Sequence, residues 1–185
     1  YKDIAFGPSN MGLSNQEVDQ RIFMASLFTQ LDKNLLYKSP FELSGGEQRR
    51  AAIAGVIAMD PDVLVLDEPT AGLDPLGRES LLENIRQYHI KRKNTIILVS
   101  HSMECIAKFA DRVMVMNKGK IEMFDTKEKI FSRVNQLNEI GLNIPQITSV
   151  MLKLKEKGYN FSNPVLTVDQ AVCEIKNMIK NGGLT

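Results

Sequence analysis

The sequence predicts an α/β fold, on the strength of two apolar segments and the stretch between them. Residues 63–66 (VLVL) and 96–99 (IILV) are continuous apolar runs, a pattern typical of parallel strands that are buried on both faces. Between them, residues 76–91 have apolar side chains at helical spacing. A strand, a helix and a second strand in that order form the usual crossover between neighbouring parallel strands.

Two helices are expected before the first strand. Residues 14–17 (SNQE) have the S-x-x-E form of a capping box, and apolar residues follow at helical spacing as far as residue 31. Residues 44–47 (SGGE) form a second box. It opens a run rich in helix-forming residues, which ends at residue 59 before an Asp-Pro pair.

The chain after the second strand is expected to form a hairpin and then helices. A short helix near residues 103–109 precedes two strand-like runs, 112–116 and 120–124, which an Asn-Lys-Gly turn joins. We expect this hairpin at the edge of the sheet. From residue 126 onward the pattern is helical only. The helices are expected over residues 130–140, 145–157 and 167–180, the last ending before Gly182-Gly183.

Composition excludes several classes of function. The 185 residues include 23 Lys+Arg and 22 Asp+Glu, for a formal net charge of +1, whereas broad electrostatic binding of nucleic acid needs a clear basic excess. We therefore expect no nucleic-acid partner. No segment approaches the roughly 20 consecutive apolar residues of a membrane-spanning helix. Cys105 and Cys173 lack CxxC or metal-ligand spacing, which predicts free thiols in a reducing setting.

Polar residues follow both predicted strands. Asp67 and Glu68 end the first strand, and His101 comes just after the second. Ligands of parallel α/β sheets lie beyond the carboxyl ends of the strands. Asp67 is suited to hold a hydrated Mg²⁺, Glu68 to orient and polarise a water molecule, and His101 to sense or stabilise a phosphate. A structural alternative stays open, in which the two carboxylates only begin a turn with Pro69 and the Ser-His pair only caps the next helix.

Ser44, Gly45 and Gly46 form a second candidate site. The glycines permit close approach of the backbone, the helix start offers unpaired N–H groups, and Ser44 adds a hydroxyl. Together they are suited to bind a phosphate. The alternative is an ordinary capped helix that follows a loop.

Four segments, in this order and at this spacing, resemble the ATP-binding subunits of ABC transporters. They are residues 43–48 (LSGGEQ), 63–68 (VLVLDE), 71–74 (AGLD) and 100–101 (SH). In this order, they resemble the family's signature motif, its Walker B strand with the catalytic glutamate, its D-loop and its switch histidine. The resemblance implies ATP hydrolysis at a site shared between two ATPase subunits.

The resemblance implies a role for each candidate residue. Glu68 and His101 would be catalytic, and Asp67 would hold Mg²⁺ through water. The residues that would bind the ATP of the partner subunit are Ser44, Gly45, Gly46, Glu47 and Asp74. Glu47 occupies the fifth position of the signature, where the common LSGGQ has Gln, and this departure leaves Ser44 and the glycines as the main contacts.

The implied fold is a P-loop NTPase-type (ABC ATPase) α/β core with a helical signature subdomain and a small C-terminal helical extension. These parts correspond to a helical subdomain at residues 1–59, the ATPase core at 60–125 and the extension at 126–185. No G-x-x-x-x-G-K-[ST] loop occurs in the sequence. In the family this Walker A loop, its strand and the glutamine loop precede the residue that matches Tyr1, so we expect that the N-terminal part of the ATPase is missing from this chain.

Finer similarities point to one subfamily. Residues 5–8 (AFGP), 52–58 (AIAGVIA) and 71–78 (AGLDPLGR) resemble the ATPases of energy-coupling factor transporters, including the cobalt-uptake type. The resemblance implies coupling of ATP hydrolysis to uptake of a vitamin or a transition metal ion (cobalt or nickel), at the cytoplasmic face of the cell membrane. The implied partners are a second ATPase subunit, identical or a paralogue, a transmembrane coupling protein and a substrate-specificity component.

Two other interpretations stay open. One is a catalytically incompetent fragment that retains only a dimerisation surface, which the lack of a Walker A loop favours. The other is a soluble ABC-type ATPase that acts on ribosomes or DNA. Such proteins usually have tandem domains or long coiled coils, and the sequence shows neither pattern.

Overall fold

The computed structural model describes residues 1–161 and 164–180. The chain divides into two compact units, Tyr1–Val99 and the described residues from Ser100 onward. Each unit packs around hydrophobic clusters of its own. The predicted end of the last helix at Gly182-Gly183 lies outside the described residues.

The first unit, all of which is described, combines helices with a parallel sheet. Its α-helices are α1 (Lys2–Asn10), α2 (Asn15–Thr29), α3 (Gly45–Ala58) and α4 (Pro75–Arg92), and its strands are β1 (Val63–Asp67) and β2 (Thr95–Val99). Two 3-10 helices, Lys33–Tyr37 and Pro40–Glu42, lie between α2 and α3. The crossover from β1 through α4 to β2 is the one that the sequence predicts.

Both predicted capping boxes are formed. The Ser14 hydroxyl accepts from the N–H of Glu17 at 3.4 Å, and the Glu17 carboxylate accepts from the N–H of Ser14 at 2.9 Å. The same reciprocal pair joins Ser44 and Glu47. Because each box satisfies N–H groups that a helix start would leave unpaired, α2 and α3 begin directly after their capping serines.

Helix α1 is an element that the sequence analysis does not predict. It includes Pro8, which lacks an N–H group and therefore weakens a helix interior. Packing compensates for this loss, because Ile4 is buried in the core of the unit and α1 lies close against α3. A Cβ atom added to Gly55 of α3 would be 3.9 Å from the Ile4 Cα. Tertiary contact with α3 thus stabilises a segment that local signals leave unassigned.

The two strands pair in parallel, with Val63 opposite Thr95. The expectation that they are buried on both faces is wrong. Leu64 is buried, whereas Val63 and Val65 are 53% and 61% exposed, and β2 shows a similar alternation. The core cluster of the unit covers one face of the sheet, so burial follows the two-residue period of a strand.

The second unit contains a hairpin and helices. The described elements are α5 (Met103–Phe109), β3 (Arg112–Asn117), β4 (Lys120–Thr126), α6 (Lys127–Phe131), α7 (Val134–Glu139), α8 (Gln146–Glu156) and α9 (Val168–Lys180). Strands β3 and β4 pair antiparallel, with Asn117 opposite Lys120, which confirms the hairpin. Among the described strands they form a sheet of their own, so the expected place at the edge of the β1–β2 sheet is wrong.

The helix expected over residues 130–140 is interrupted. The Ser132 hydroxyl donates to the carbonyl of Lys129 at 2.9 Å, and Arg133 leaves the helical region with φ −88° and ψ 53°. The chain therefore forms α6 and α7 instead of one helix. The helices expected over residues 145–157 and 167–180 are confirmed as α8 and α9.

The two cysteines of the second unit differ in exposure. Cys105 in α5 is buried and Cys173 in α9 is exposed, and neither forms a disulfide bond. Across the described part of the chain, no helix combines the length and the apolar composition needed to cross a bilayer.

Candidate functional site

Helix α3 presents an open N-terminus. Ser44 is its N-cap, with extended backbone angles of φ −63° and ψ 158°, and both Ser44 and Gly45 are exposed. A Cβ atom added to Gly45 would meet no atom within 4 Å. The N–H groups of a first helical turn have partial positive charge, so this open turn suits an anion such as a phosphate.

The Glu47 carboxylate is bound to the same helix cap. Its Oε2 atom accepts from the Ser44 hydroxyl and from the Ser44 N–H, both at 2.7 Å. These hydrogen bonds, that of the hydroxyl first, hold the pKa of Glu47 below its ordinary value of 4.5. Glu47 is consequently ionised at neutral pH. The Ser44 hydroxyl donates to it, and would have to exchange this bond in order to donate to a phosphate.

This hydrogen-bonded cap makes stability depend on pH. A carboxyl whose pKa is lowered by folding stabilises the folded state above its unfolded pKa, and that contribution is lost as the pH falls through the folded pKa. We expect the stabilisation by Glu47 to be complete above pH 4.5 and to decrease below it. The melting temperature of the wild-type chain and of Glu47→Gln, measured across this range, should differ most at neutral pH and converge in acid.

A matched control is available on α2. Glu17 makes the same bonds with Ser14, and they lower its pKa in the same way. The difference in melting temperature between wild type and Glu17→Gln should therefore depend on pH in a similar way, although this substitution does not alter the start of α3. A difference between wild type and Glu47→Gln that is constant with pH would contradict the role of the ionised carboxylate.

The carboxyl end of β1 places Asp67 and Glu68 next to a strained turn. Asp67 is exposed, and the N–H of Glu68 donates to the carbonyl of Val99 at 3.0 Å. Glu68 has a φ of +44°, in the left-handed region that residues with side chains seldom adopt. Its carbonyl accepts from the N–H of Ala71 at 3.1 Å. The two carboxylates do begin a turn with Pro69, as the structural alternative proposed, and strain of this kind is concentrated at functional sites.

Two contacts join α3 to this region. The Arg49 guanidinium donates to the carbonyl of Asp67 at 3.2 Å and also to the carbonyl of Glu68. A Cβ atom added to Gly46 would lie 3.1 Å from Cδ2 of Leu73, so the first turn of α3 packs closely on residues 71–74. The sequence alone does not identify Arg49, whose only signal is its place one turn after Ser44 on the same helix.

Asp74 is the N-cap of α4. Its Oδ1 atom accepts from the N–H of Gly77 at 2.6 Å, and the side chain is exposed. The preceding turn passes through Gly72, whose φ of +75° favours glycine. The structure thus brings the predicted Ser44–Glu47 cap, the Asp67–Glu68 pair and the turn before Asp74 together in the first unit.

His101 belongs to the second unit and is exposed. The alternative that Ser100-His101 caps the next helix is wrong, because the N-cap of α5 is Ser102, whose hydroxyl accepts from the N–H of Cys105 at 3.2 Å. The Ser100 hydroxyl accepts from the N–H of Ser102 at 3.2 Å.

The donor set at β1 is compatible with Mg²⁺. Among the described residues, no three His, Cys, Asp or Glu side chains are grouped so that they could hold a metal ion. Mg²⁺ usually binds one or two carboxylates, water and the phosphates of its substrate. The exposed carboxylate of Asp67 therefore fits an ion that arrives with a nucleotide, and does not fit a permanent all-protein metal site.

Comparison with known families shows what the chain is similar to. A family model described as "AAA domain, putative AbiEii toxin, Type IV TA system" matches residues 1–107. The energy-coupling factor transporter ATP-binding protein EcfA2 of Caldanaerobacter subterraneus is 52% identical over 171 residues, which are 92% of this chain and 60% of that protein. Eight such relatives are 44% to 52% identical. The chain spans 60% to 64% of their length.

Solved structures give the same result. The structure of cbiO1 from Clostridium perfringens, part of the ABC transporter complex cbiONQ, matches with a TM-score of 0.65 and 34% identity, over 82% of this chain and 60% of that one. A dimeric ATP-binding cassette in a post-hydrolysis state, bound to ADP and Pi, matches with a TM-score of 0.57 and 25% identity, over 62% and 49%. The chain therefore belongs to the AAA-domain family and, as its motifs predicted, to the ABC ATPases that include the ATP-binding proteins of energy-coupling factor transporters.

Proposed function

We propose that this chain is part of the ATP-binding and ATP-hydrolysing subunit of an energy-coupling factor transporter. The observation that supports this most directly is the linkage of three elements within one unit. The open start of α3, the Asp67–Glu68 pair and the turn before α4 are joined by the contacts of Arg49 and Gly46. The names of the relatives agree with this function.

The proposed site residues serve two nucleotides. Asp67, Glu68 and His101 act on one ATP. Those that contact the ATP held by the partner subunit are Ser44, Gly45, Gly46, Glu47 and Asp74. The exposure of the first turn of α3 supports this division, since an exposed helix N-terminus can meet a phosphate held on another chain. Hydrolysis would then depend on closure of the two subunits.

Each residue has a proposed role in phosphoryl transfer, which depends mainly on positioning and charge stabilisation. The Glu68 carboxylate orients the attacking water and accepts its proton. Asp67 holds Mg²⁺ through water, and the ion, when bound, supplies positive charge to the phosphate oxygens. His101 donates a hydrogen bond to the phosphate. These 185 residues contain no Walker A loop, so we propose that hydrolysis requires a phosphate-binding loop that they do not supply.

The architecture and partners follow the same proposal. Residues 1–59 form the helical signature subdomain, 60–125 the ATPase core and 126–185 a helical extension. The partners are a second ATPase subunit, a transmembrane coupling protein and a substrate-specificity component, at the cytoplasmic face of the cell membrane. The solute is a vitamin or a cobalt or nickel ion. The relatives support this group of partners, since cbiO1 is described as part of the complex cbiONQ.

Solute uptake by intact cells tests the function. In cells from which the gene is deleted, we expect lower uptake of one solute among labelled vitamins, cobalt and nickel ions. A plasmid copy of the natural gene should restore uptake. A Glu68→Gln copy should not, and Glu83→Gln, which changes an exposed carboxylate on α4, should restore it as the matched control.

Two outcomes would count against the proposal. If the deletion changes the uptake of none of the tested solutes, the proposed transport function is wrong. If the purified gene product nonetheless hydrolysed ATP without any membrane component, the soluble ABC-type ATPase would be the better interpretation. If the deletion changes no uptake and the purified gene product does not hydrolyse ATP, a protein that retains only a dimerisation surface is the better interpretation.

A further inference from the structure

Glu68 has a backbone conformation that only its surroundings can maintain. Its φ of +44° lies in the left-handed region, and Pro69 follows it. A proline ring contacts the backbone of the residue before it and restricts that residue further. Such a conformation persists where neighbouring contacts determine it. The contacts of the two peptide groups that flank Glu68 therefore determine whether it keeps this conformation.

One guanidinium holds both of these peptide groups. Nη2 of Arg49 donates to the carbonyl of Asp67 at 3.2 Å and also to the carbonyl of Glu68. The two carbonyls belong to the rigid peptide planes on either side of the Glu68 Cα. The relative orientation of these planes is what φ and ψ of Glu68 describe, so it also sets the direction in which the side chain leaves the backbone.

Backbone hydrogen bonds act on these planes separately. The N–H of Glu68 donates to Val99 and holds the first plane, while the N–H of Ala71 donates to Glu68 and holds the second. Arg49 differs from both because a single nitrogen atom contacts the two planes together. Its bond to Glu68 spans 19 residues of sequence, so it also fixes the turn to a separate helix.

We propose that Arg49 is a positioning residue for ATP hydrolysis, which holds the backbone that directs the Glu68 carboxylate toward the attacking water. The proposal rests on the proposed function, because it assumes the role of Glu68. Arg49 lies in the second turn of α3, the helix that begins after Ser44. The helix whose start faces the partner's nucleotide therefore also positions the carboxylate that acts on the other nucleotide.

The chemistry of the side chain explains why arginine occupies this position. A guanidinium directs several N–H donors in one rigid plane, so that it can contact two neighbouring carbonyls at once. A lysine ammonium has three donors but lies at the end of a flexible chain, so it holds the relative orientation of the two carbonyls less firmly. A methionine of similar length has no donor. The series Arg49, Arg49→Lys and Arg49→Met therefore removes the contact in steps.

Hydrogen exchange and kinetics of the natural gene product test this inference. In Arg49→Met, peptides that cover residues 66–72 should exchange faster by a factor on the order of 10, as expected for loss of a hydrogen bond from a charged donor. The kcat for ATP should fall by roughly 10- to 100-fold, the scale of a misplaced catalytic group, with KM unchanged. Arg49→Lys should recover part of both effects.

Arg21→Gln is the matched control. Arg21 of α2 also makes a long-range contact in the first unit, through Nη1 to Oδ2 of Asp60 in the loop after α3 at 2.7 Å, and its loss should change neither kcat nor the exchange of residues 66–72. Unchanged exchange of these residues in Arg49→Met, or an equal change in Arg21→Gln, would overturn the proposal. A wild-type protein that does not hydrolyse ATP would overturn the proposed function instead, and the exchange data would then decide alone whether Arg49 holds the turn.

Discussion

Glu68→Gln should lower ATP hydrolysis by about 10²- to 10⁴-fold, the loss expected when a positioned general base is removed. Glutamine keeps the size of the side chain and can occupy the same left-handed turn at the end of β1, but its neutral amide cannot accept a proton from water. Nucleotide binding should remain, because the carboxylate is proposed to act on water and not on the nucleotide. Steady-state hydrolysis and binding of a labelled ATP analogue by the natural gene product measure the two effects.

The control for this substitution lies on α4. The Glu83 side chain is 44% exposed, and it accepts from Gln87 at 2.7 Å on its own helix. Glu83→Gln removes the same charge from the first unit and should leave hydrolysis unchanged. Near-normal turnover by Glu68→Gln would exclude Glu68 as the catalytic base, and an equal loss in both variants would indicate a general effect of charge or stability.

A polypeptide limited to these 185 residues should bind ATP weakly and should not hydrolyse it measurably. Ser44 and Gly46 can donate to a phosphate, but they are proposed to contact a nucleotide held by another subunit. Asp67 can bind Mg²⁺, yet in such sites the ion is held largely by the phosphates of the nucleotide. Without the lysine and backbone amides of a phosphate-binding loop, the triphosphate lacks most of its charge compensation.

Titration of a labelled ATP analogue compares these 185 residues with the same residues joined to a Walker A loop. The 185 residues should show no saturable micromolar binding, whereas the same residues joined to a segment with a Walker A loop should bind and turn over ATP. A Lys→Ala substitution in that added loop is the matched control, and it should abolish the gain. Micromolar binding and turnover by the 185 residues alone would show that the phosphate site lies elsewhere in them.

Local chemistry made much of the first unit predictable. The capping boxes at Ser14 and Ser44 consist of residues three positions apart, so their effect on the chain does not depend on the rest of the fold. The β1–α4–β2 crossover was predictable because an apolar run, a helical period and a second apolar run leave few other arrangements. Asp67 and Glu68 could be assigned to a site because they follow a strand directly.

Other features depend on contacts between distant residues. Helix α1 forms although it contains Pro8, because α3 packs against it. The local sequence of α1 does not predict this packing. The contacts of Arg49 with the carbonyls after β1 could not be predicted either, since nothing in the sequence sets which way that side chain extends.

The unequal exposure of the two cysteines makes the chain a single-site target for chemical labelling. A thiol-reactive dye should modify the exposed Cys173 on α9 long before the buried Cys105 on α5, since modification requires access as well as ionisation. A fluorophore could thus be attached near the end of the chain without any substitution. Its anisotropy and emission would report directly on any molecule that binds close to α9.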